Sequence, residues 1–373
     1  MWSNSFRSST RVARRHFSSS SGGGGGGSAL GVFAIGAVAF AAAGYTAKQE
    51  LDSLKQTTKD LQVQVSGKTN SAFVFVKPHA CKGTPGKVES LVEDSFRSHG
   101  IRITGKGEMK AEVIDKNMHI DTHYGAIASK AVKLQPKDLN VPDKGKAGFK
   151  ELFGETWDDA IKAGKVYNAK DAAAKLNTDA AGMNDLWSKL DKKKDLIKFG
   201  GGFYCGKVGN IYVMNGFYME MRAAYTNPGE KIQWYTVSWP ADALSWADFR
   251  GRVLGATDPS AAPKSSIRRE ILDHYKELGL STKPNTGDNG VHASASPFEA
   301  LAERMNWLGV PLEQDPYGKA LLAKVPKETI AKWAEDAQVQ VDGETAPGKT
   351  MSVFDTLEDL DADTILAKVD KIK

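Results

Sequence analysis

The apolar positions of this chain change period several times, and each change marks an element. Residues 71–76, SAFVFV, are an unbroken apolar run ending at Lys77-Pro78. Such a run reads as a buried central strand, and the proline, with no N–H to give, stops its ladder. Val88, Leu91, Val92 and Phe96 then recur at helical spacing up to His99-Gly100, residues 101–105 start a second strand, and 113–124 read as helix. From 125 to 207 the chain is rich in Lys and Asp with scattered Ala, has helix-like stretches at 170–176 and 185–196, and reads as a surface insertion. Alternation at 211–221, the turn Asn227-Pro228-Gly229 and the run 231–237 predict a hairpin. A helix is expected over 241–254 with Leu244, Phe249 and Val253 inward.

A last strand runs into Val291-His292, and a helix start follows at once. Ser296 suits the cap, Pro297 the first helical position, and Glu299 completes a capping box; Phe298, Leu301, Ala302 and Met305 then share one face. Beyond 308 come loops around Pro311 and Pro316 and amphipathic stretches at 327–337 and 353–369, a tail that either wraps the domain or docks on a partner.

The first 68 residues have a different character. Residues 1–21 contain Arg7, Arg11, Arg14 and Arg15, many serines and no acid, the composition of an organelle transit peptide. With the glycine spacer 22–27 they make up an address segment, 1–28. Residues 29–45 carry no charge and are just long enough for a single membrane helix, and 46–68 read as a helical stalk with a thin seam at Leu51, Leu54 and Leu61. The expected location is the mitochondrial inner membrane, crossed once, with another organelle membrane as the alternative. The formal charge of +5 is mild and concentrated in this leader, which argues for an address and against a nucleic-acid surface. Cys81 and Cys205 have no metal-like spacing and make no disulfide framework.

Candidate chemistry centres on His292, set among Gly290, Ala293, Ser294 and Ala295, whose small side chains leave its ring accessible. Glu303 lies on a neighbouring helix face within reach of it, and an imidazole held by a carboxylate serves as nucleophile or base. Taken alone, a histidine beside a capped helix is most often a plain surface residue.

Several pieces in order change that balance: FVFVKPHACKG near the start, the pair His123-Tyr124, GRVLGATDPSAAPKSSIR at 251–268, and NGVHASAS at 289–296 followed by Glu303. Together, 73–307 resembles the nucleoside diphosphate kinase family. The resemblance implies an α+β fold with a ferredoxin-like βαββαβ core across 69–310, interrupted by the insertion and followed by the extension 311–373. It implies ping-pong transfer of the γ-phosphate from a nucleoside triphosphate to a nucleoside diphosphate through a phosphohistidine. His292 would be the nucleophile, with Glu303 on its other nitrogen and Ser294 supporting that contact. Lys77 and Tyr124 would face the transferred phosphate, Arg252, Thr257 and Arg268 the terminal phosphates, and Asn289 the sugar hydroxyl. ATP, nucleoside diphosphates and Mg²⁺ are the implied ligands. Fixed cations and hydroxyls are what a phosphoryl group in flight demands.

The chain departs from the family at Lys77-Pro78-His79, where Asp usually follows the proline, and at Ala295, where Asp is common. The usual base clamp is displaced by the insertion, with Phe149 and Phe153 as candidate replacements. Base selectivity and oligomeric packing, as homo-oligomer or within a membrane complex, are thereby open. The alternative function is a catalytically weak structural or scaffolding subunit of a mitochondrial membrane complex. Two other motifs fail. Residues 343–350, GETAPGKT, match a phosphate loop, but too little chain follows to complete such a domain. His119 and His123 stand four apart, but no Glu or third ligand accompanies them at zinc-protease spacing.

Overall fold

The computed structural model describes residues 68–346 and 348–373. The segments expected to form the address, the membrane helix and, but for Lys68, the stalk lie outside them. Among the described residues no helix is long and apolar enough to cross a membrane.

The apolar run forms the middle of the fold. Strand β1 (Thr69–Val76) has residues 72–76 fully buried, and it lies between β7 (Lys231–Pro240) and β8 (Val291–Ala293), antiparallel to both. Strand β2 (Arg102–Lys110) pairs antiparallel with the far side of β7, giving the order β2-β7-β1-β8. Helix Lys87–Ser98 links β1 to β2, and helix Ile267–Asp273 lies between β7 and β8. That order, direction and connectivity make a ferredoxin-like βαββαβ core.

Alternation along β1 sorts its side chains. Ala72, Val74 and Val76 pack with Val88, Val92, Phe96, Val253 and Ile271 on one face; Phe73 and Phe75 pack with Ile114, Ile120, Tyr225 and Trp307 on the other. Register does the rest. His292 is paired directly with Phe75, and opposed residues in a ladder share a face, so its ring must sit on the Phe75 side while Val291 enters the other core.

Three expectations are corrected. The hairpin 211–221/231–237 does not form. Residues Ile211–Met214 are β6 of another sheet and Tyr218–Thr226 are a helix that buries Tyr218 and Tyr225, while β7 is claimed by β1 and β2. Long-range pairing outweighs the local turn signal. The insertion is not surface decoration. Between β2 and β7, strands β3 (Val166–Asn168), β4 (Leu196–Gly200), β5 (Phe203–Val208) and β6 form a second sheet, ordered β3-β6-β5-β4. Its core contains Phe149, Trp157, Phe199, Tyr212 and Met214. The helix expected at 185–196 ends at Ser188 because 196–200 is taken as strand. The 241–254 helix is present as Trp246–Asp248 continuing into wider π turns at Phe249–Leu254, with Phe249 and Val253 inward as expected.

Insertion and core are joined by buried charge. Asp121, fully buried, accepts from the Tyr218 hydroxyl at 3.0 Å and from Arg222 Nε at 3.0 Å, and Arg222 also reaches Asp115 at 2.5 Å. These bonds fix helix His119–His123.

The tail wraps the domain. Helices Pro316–Leu322, Lys327–Trp333, Val353–Leu357 and Ala362–Lys368 bury their apolar sides around Phe298 and Leu301. Helix Pro297–Leu308 is therefore covered on two sides. Its expected apolar face meets the tail, and Ala300, Glu303 and Trp307 face the sheet. Asp315 holds this layer. It accepts from Arg304 Nε at 2.6 Å and Nη2 at 3.1 Å and from the N–H groups of Tyr317 and Gly318, while Arg304 Nη1 donates to the Ser71 carbonyl. Both charges are at least 95% buried. Removing one partner strands the other, so Asp315→Ala is expected to cost about 3–5 kcal/mol, read from urea unfolding midpoints.

Candidate active site

Two elements bring the main pair together. Strand β8 carries His292, and helix Pro297–Leu308 returns immediately with Glu303 on its sheet side. Ser296 Oγ accepts from the Glu299 N–H at 3.1 Å, as the capping pattern predicts. The Glu299 carboxylate instead takes the Ala295 N–H, so the box closes one residue early.

His292 Nε2 lies 2.6 Å from Glu303 Oε1. The other Glu303 oxygen is 2.5 Å from Ser294 Oγ, which also accepts the Phe73 N–H at 3.0 Å. A hydroxyl has one proton, and a carboxylate is its strongest acceptor here, so Ser294 donates to Glu303. Phe75 stacks on the His292 ring at 4.7 Å, and His123 meets it edge-on at 4.6 Å with Nδ1 3.2 Å from Glu303 Oε1. Glu303 and His123 are 5% and 6% exposed and His292 17%, so His292 is the member open to solvent.

Burial lowers the His292 imidazole to about 4, against the upward pull of Glu303. Burial raises the Glu303 carboxyl, but the charge of His292 and the bonds from His123 and His292 outweigh it and hold the group at about 2. Near neutral pH this is a carboxylate facing a neutral ring. Its proton is placed on Nε2 by the bond to Glu303, and Nδ1, which makes no hydrogen bond among the described residues, keeps its lone pair.

Other expected residues are bound to the backbone on either side of His292. The Lys77 N–H donates to the Gly290 carbonyl at 2.9 Å, and its Nζ reaches the Gly287 carbonyl at 3.0 Å. Burial and the nearby Arg268 lower Lys77 to about 8. Arg268 donates from Nε and Nη2 to the Val291 carbonyl and from Nη1 to the Gly255 carbonyl, leaving two of its five N–H donors. Asn289 is 2% exposed; its Nδ2 donates to the Thr257 carbonyl at 3.0 Å, and its buried Oδ1 has no partner. Tyr124 packs edge-on against His123, with the Tyr225 hydroxyl beside its own. Two expected residues are exposed. The Arg252 side chain is 76% exposed and pairs at 3.7 Å with Asp248, and the Thr257 side chain is solvent-facing. Phe149 cannot clamp a base, being fully buried in the insertion core against Phe153, Trp157 and Tyr212.

Two histidines matter more than sequence reading allowed. His79 replaces the usual acid and ties down the loop. Its Nε2 accepts the Gly290 N–H at 3.1 Å, so its proton sits on Nδ1, 3.4 Å from Asp288. The two-residue offset from Lys77 gave no sign of this. His123 shares Glu303 with His292 across 180 residues of chain, which no local spacing could reveal. Gly290 itself has φ +89°, and a Cβ there would sit 2.7 Å from Ile271 Cδ1. Gly290→Ala should therefore cost about 1–2 kcal/mol in backbone strain alone and slow any chemistry at His292, checked by urea unfolding and transfer assays on the same preparation.

No protein-family model matches the sequence, and no curated protein matches it. Among solved structures, the chain is similar to a nucleoside diphosphate kinase from Encephalitozoon cuniculi, with 15% identity over 66% of this chain and 92% of that one and a TM-score of 0.31. It is also similar to a transition-state mimic of nucleoside-diphosphate kinase from Borrelia burgdorferi with bound vanadate and ADP, with 13% identity over 64% and 87% of the two chains and a TM-score of 0.28. Overlap this shallow carries no weight on chemistry; the contacts above do.

Proposed function

We propose that the chain is a nucleoside diphosphate kinase-like phosphotransferase working through a phosphohistidine at His292. One observation carries the reading: Glu303 holds Nε2 of a neutral ring at 2.6 Å and leaves Nδ1 without a hydrogen bond among the described residues, with the Lys77 ammonium close enough to oppose protonation of the ring. In the first half-reaction the Nδ1 lone pair attacks the γ-phosphorus, the bond to the bridging oxygen breaks, and the nucleoside diphosphate departs. In the second, a terminal oxygen of another nucleoside diphosphate attacks that phosphorus and the N–P bond electrons return to Nδ1. Glu303 balances the positive charge that grows on the ring, with Ser294 keeping the carboxylate aligned. Lys77, the free donors of Arg268 and the Tyr124 hydroxyl would meet the phosphoryl oxygens, and Asn289 Oδ1 would take a sugar hydroxyl.

Mg²⁺ fits as the nucleotide's own counter-ion, because the rim supplies cations and amides and one exposed carboxylate, Asp288, and this ion asks for one or two protein oxygens. Bound there it would neutralise charge on the β- and γ-phosphates. Anchorage in a mitochondrial membrane through residues 29–45 remains part of the proposal. The experiment is incubation of the full chain with radiolabelled ATP and Mg²⁺; an acid-labile label that then passes to a nucleoside diphosphate supports the reading, and its absence opposes it.

The pH profile follows from the site. In chelator-treated protein His292 stays neutral until pH falls to about 4, so the acid limb should lie roughly two units below that of an ordinary imidazole. Lys77 loses its charge as pH rises through about 8, which sets the alkaline limb. Single-turnover labelling across pH checks both.

The structural-subunit alternative is favoured by the packed insertion with its exposed Leu134 and by the exposed Val113 and Met118 that precede it. On native gels of solubilised membranes it predicts migration within a large assembly and not as a free small oligomer.

A further inference from the structure

Helix His119–His123, strand β8 and helix Pro297–Leu308 converge where no sequence spacing announces a metal. One ligand atom each from His123, His292 and Glu303 lies within 4.8 Å of the other two. We infer that His123 Nδ1, His292 Nε2 and Glu303 Oε1 form a site for a divalent transition metal of the Zn²⁺ class, and that an ion there and phosphoryl transfer exclude each other. The exclusion rests on the transferase reading; the binding does not.

Two imidazoles and one carboxylate are a set that zinc accepts with a fourth position open, whereas Ca²⁺ and Mg²⁺ demand more oxygens than this site has. Ser294 already orients the far oxygen of Glu303, the kind of outer support a metal-bound carboxylate needs, and Phe75 and Trp307 make an apolar wall around the two rings. The distances ask for a small opening. Bonds of about 2.0–2.1 Å in a tetrahedron set ligand atoms roughly 3.3 Å apart. His123 is already 3.2 Å from Glu303, while His292, at 2.6 Å, must draw back. It is the most exposed of the three and can move towards solvent.

The proton count gives the consequence. To ligate, Nε2 must shed the proton it now shares with Glu303. In the neutral ring that proton moves to Nδ1, which then has an N–H and no lone pair for phosphorus. The metal and the phosphoryl group thus claim opposite protonation patterns of one imidazole.

Titration of the full chain with Co²⁺ as a spectroscopic stand-in tests the site without any turnover. One equivalent should produce the strong visible absorption of a tetrahedral ion, displaced by Zn²⁺, absent in His123→Gln and in His292→Gln, and kept when Cys81 and Cys205 are both changed to Ser. X-ray absorption of the Zn²⁺-loaded wild-type chain, which depends on no variant folding, should show two imidazoles and no sulfur. A weak octahedral spectrum, sulfur ligation, or absorption surviving in both folded histidine variants would overturn the site. Labelling by ATP should fall in proportion to the metal-filled fraction and return on chelation. Unchanged labelling at full occupancy would overturn the exclusion. A metal-free protein that never labels, yet gives the cobalt spectrum, would instead sink the transferase reading and leave the site standing.

Discussion

His292→Ala is expected to lower phosphoryl transfer by about 10⁴-fold or more and to abolish the acid-labile label, while the thermal unfolding profile moves by only a few degrees. Loss of a covalent nucleophile removes the pathway and not merely one contribution to it, which is why such changes sit at the top of the range for single substitutions. No neighbour can take over. His123 is 6% exposed with Nδ1 turned to Glu303, and His79 spends Nε2 on the Gly290 N–H. Stability should change little, because the ring lies at the open edge of the cluster and its loss frees Glu303 to keep Ser294 and His123. Residual transfer within about tenfold of wild type would mean that the phosphate takes another route.

The second large effect is expected at Glu303→Gln. An amide matches the carboxylate in shape and still accepts from Nε2, but it brings no charge to balance the imidazolium that forms as the N–P bond grows. Its NH₂ also competes with the donors Ser294 and His123 for the same space. A fall of about 10²–10⁴ in kcat is expected, with KM much less affected, because the contact strengthens as the ring becomes charged. The acid limb should also move to lower pH, since Glu303 is what pulls His292 upward against burial. A purely structural role for Glu303 would leave the limb where it is. Steady-state kinetics across pH, with melting curves beside them, separates the two.

Part of this was open to reading from the chain and part was not. The run at 71–76 announced a buried centre because five successive residues face packed layers on both sides. The start of helix Pro297–Leu308 was legible because capping is chemistry within four residues, and Glu303 stood within reach of His292 for the same reason. What stayed hidden depends on partners far away in sequence. Residues 231–240 looked like half of a hairpin until β1 and β2 took both edges. The Lys- and Asp-rich insertion concealed Phe149, Trp157, Phe199 and Tyr212, which are spaced too irregularly to show a period but meet in one cluster. The tail's role was undecidable because only Phe298 and Leu301, already counted as an inward face, show what it covers. At the site, Ser294 meets His292 through Glu303, and Arg268 and Asn289 are held by the Val291 and Thr257 carbonyls, while Arg252 points to solvent beside Asp248. Membership in a motif says nothing about where a flexible side chain rests.

The central claim is that Glu303 occupies one nitrogen of His292 and thereby commits the other to phosphorus. Brief labelling of the metal-free chain with ATP and Mg²⁺, followed by identification of the phosphohistidine isomer at His292, tests this most directly. Phosphate on Nδ1 is the predicted result; phosphate on Nε2, or on a residue other than His292, would contradict it.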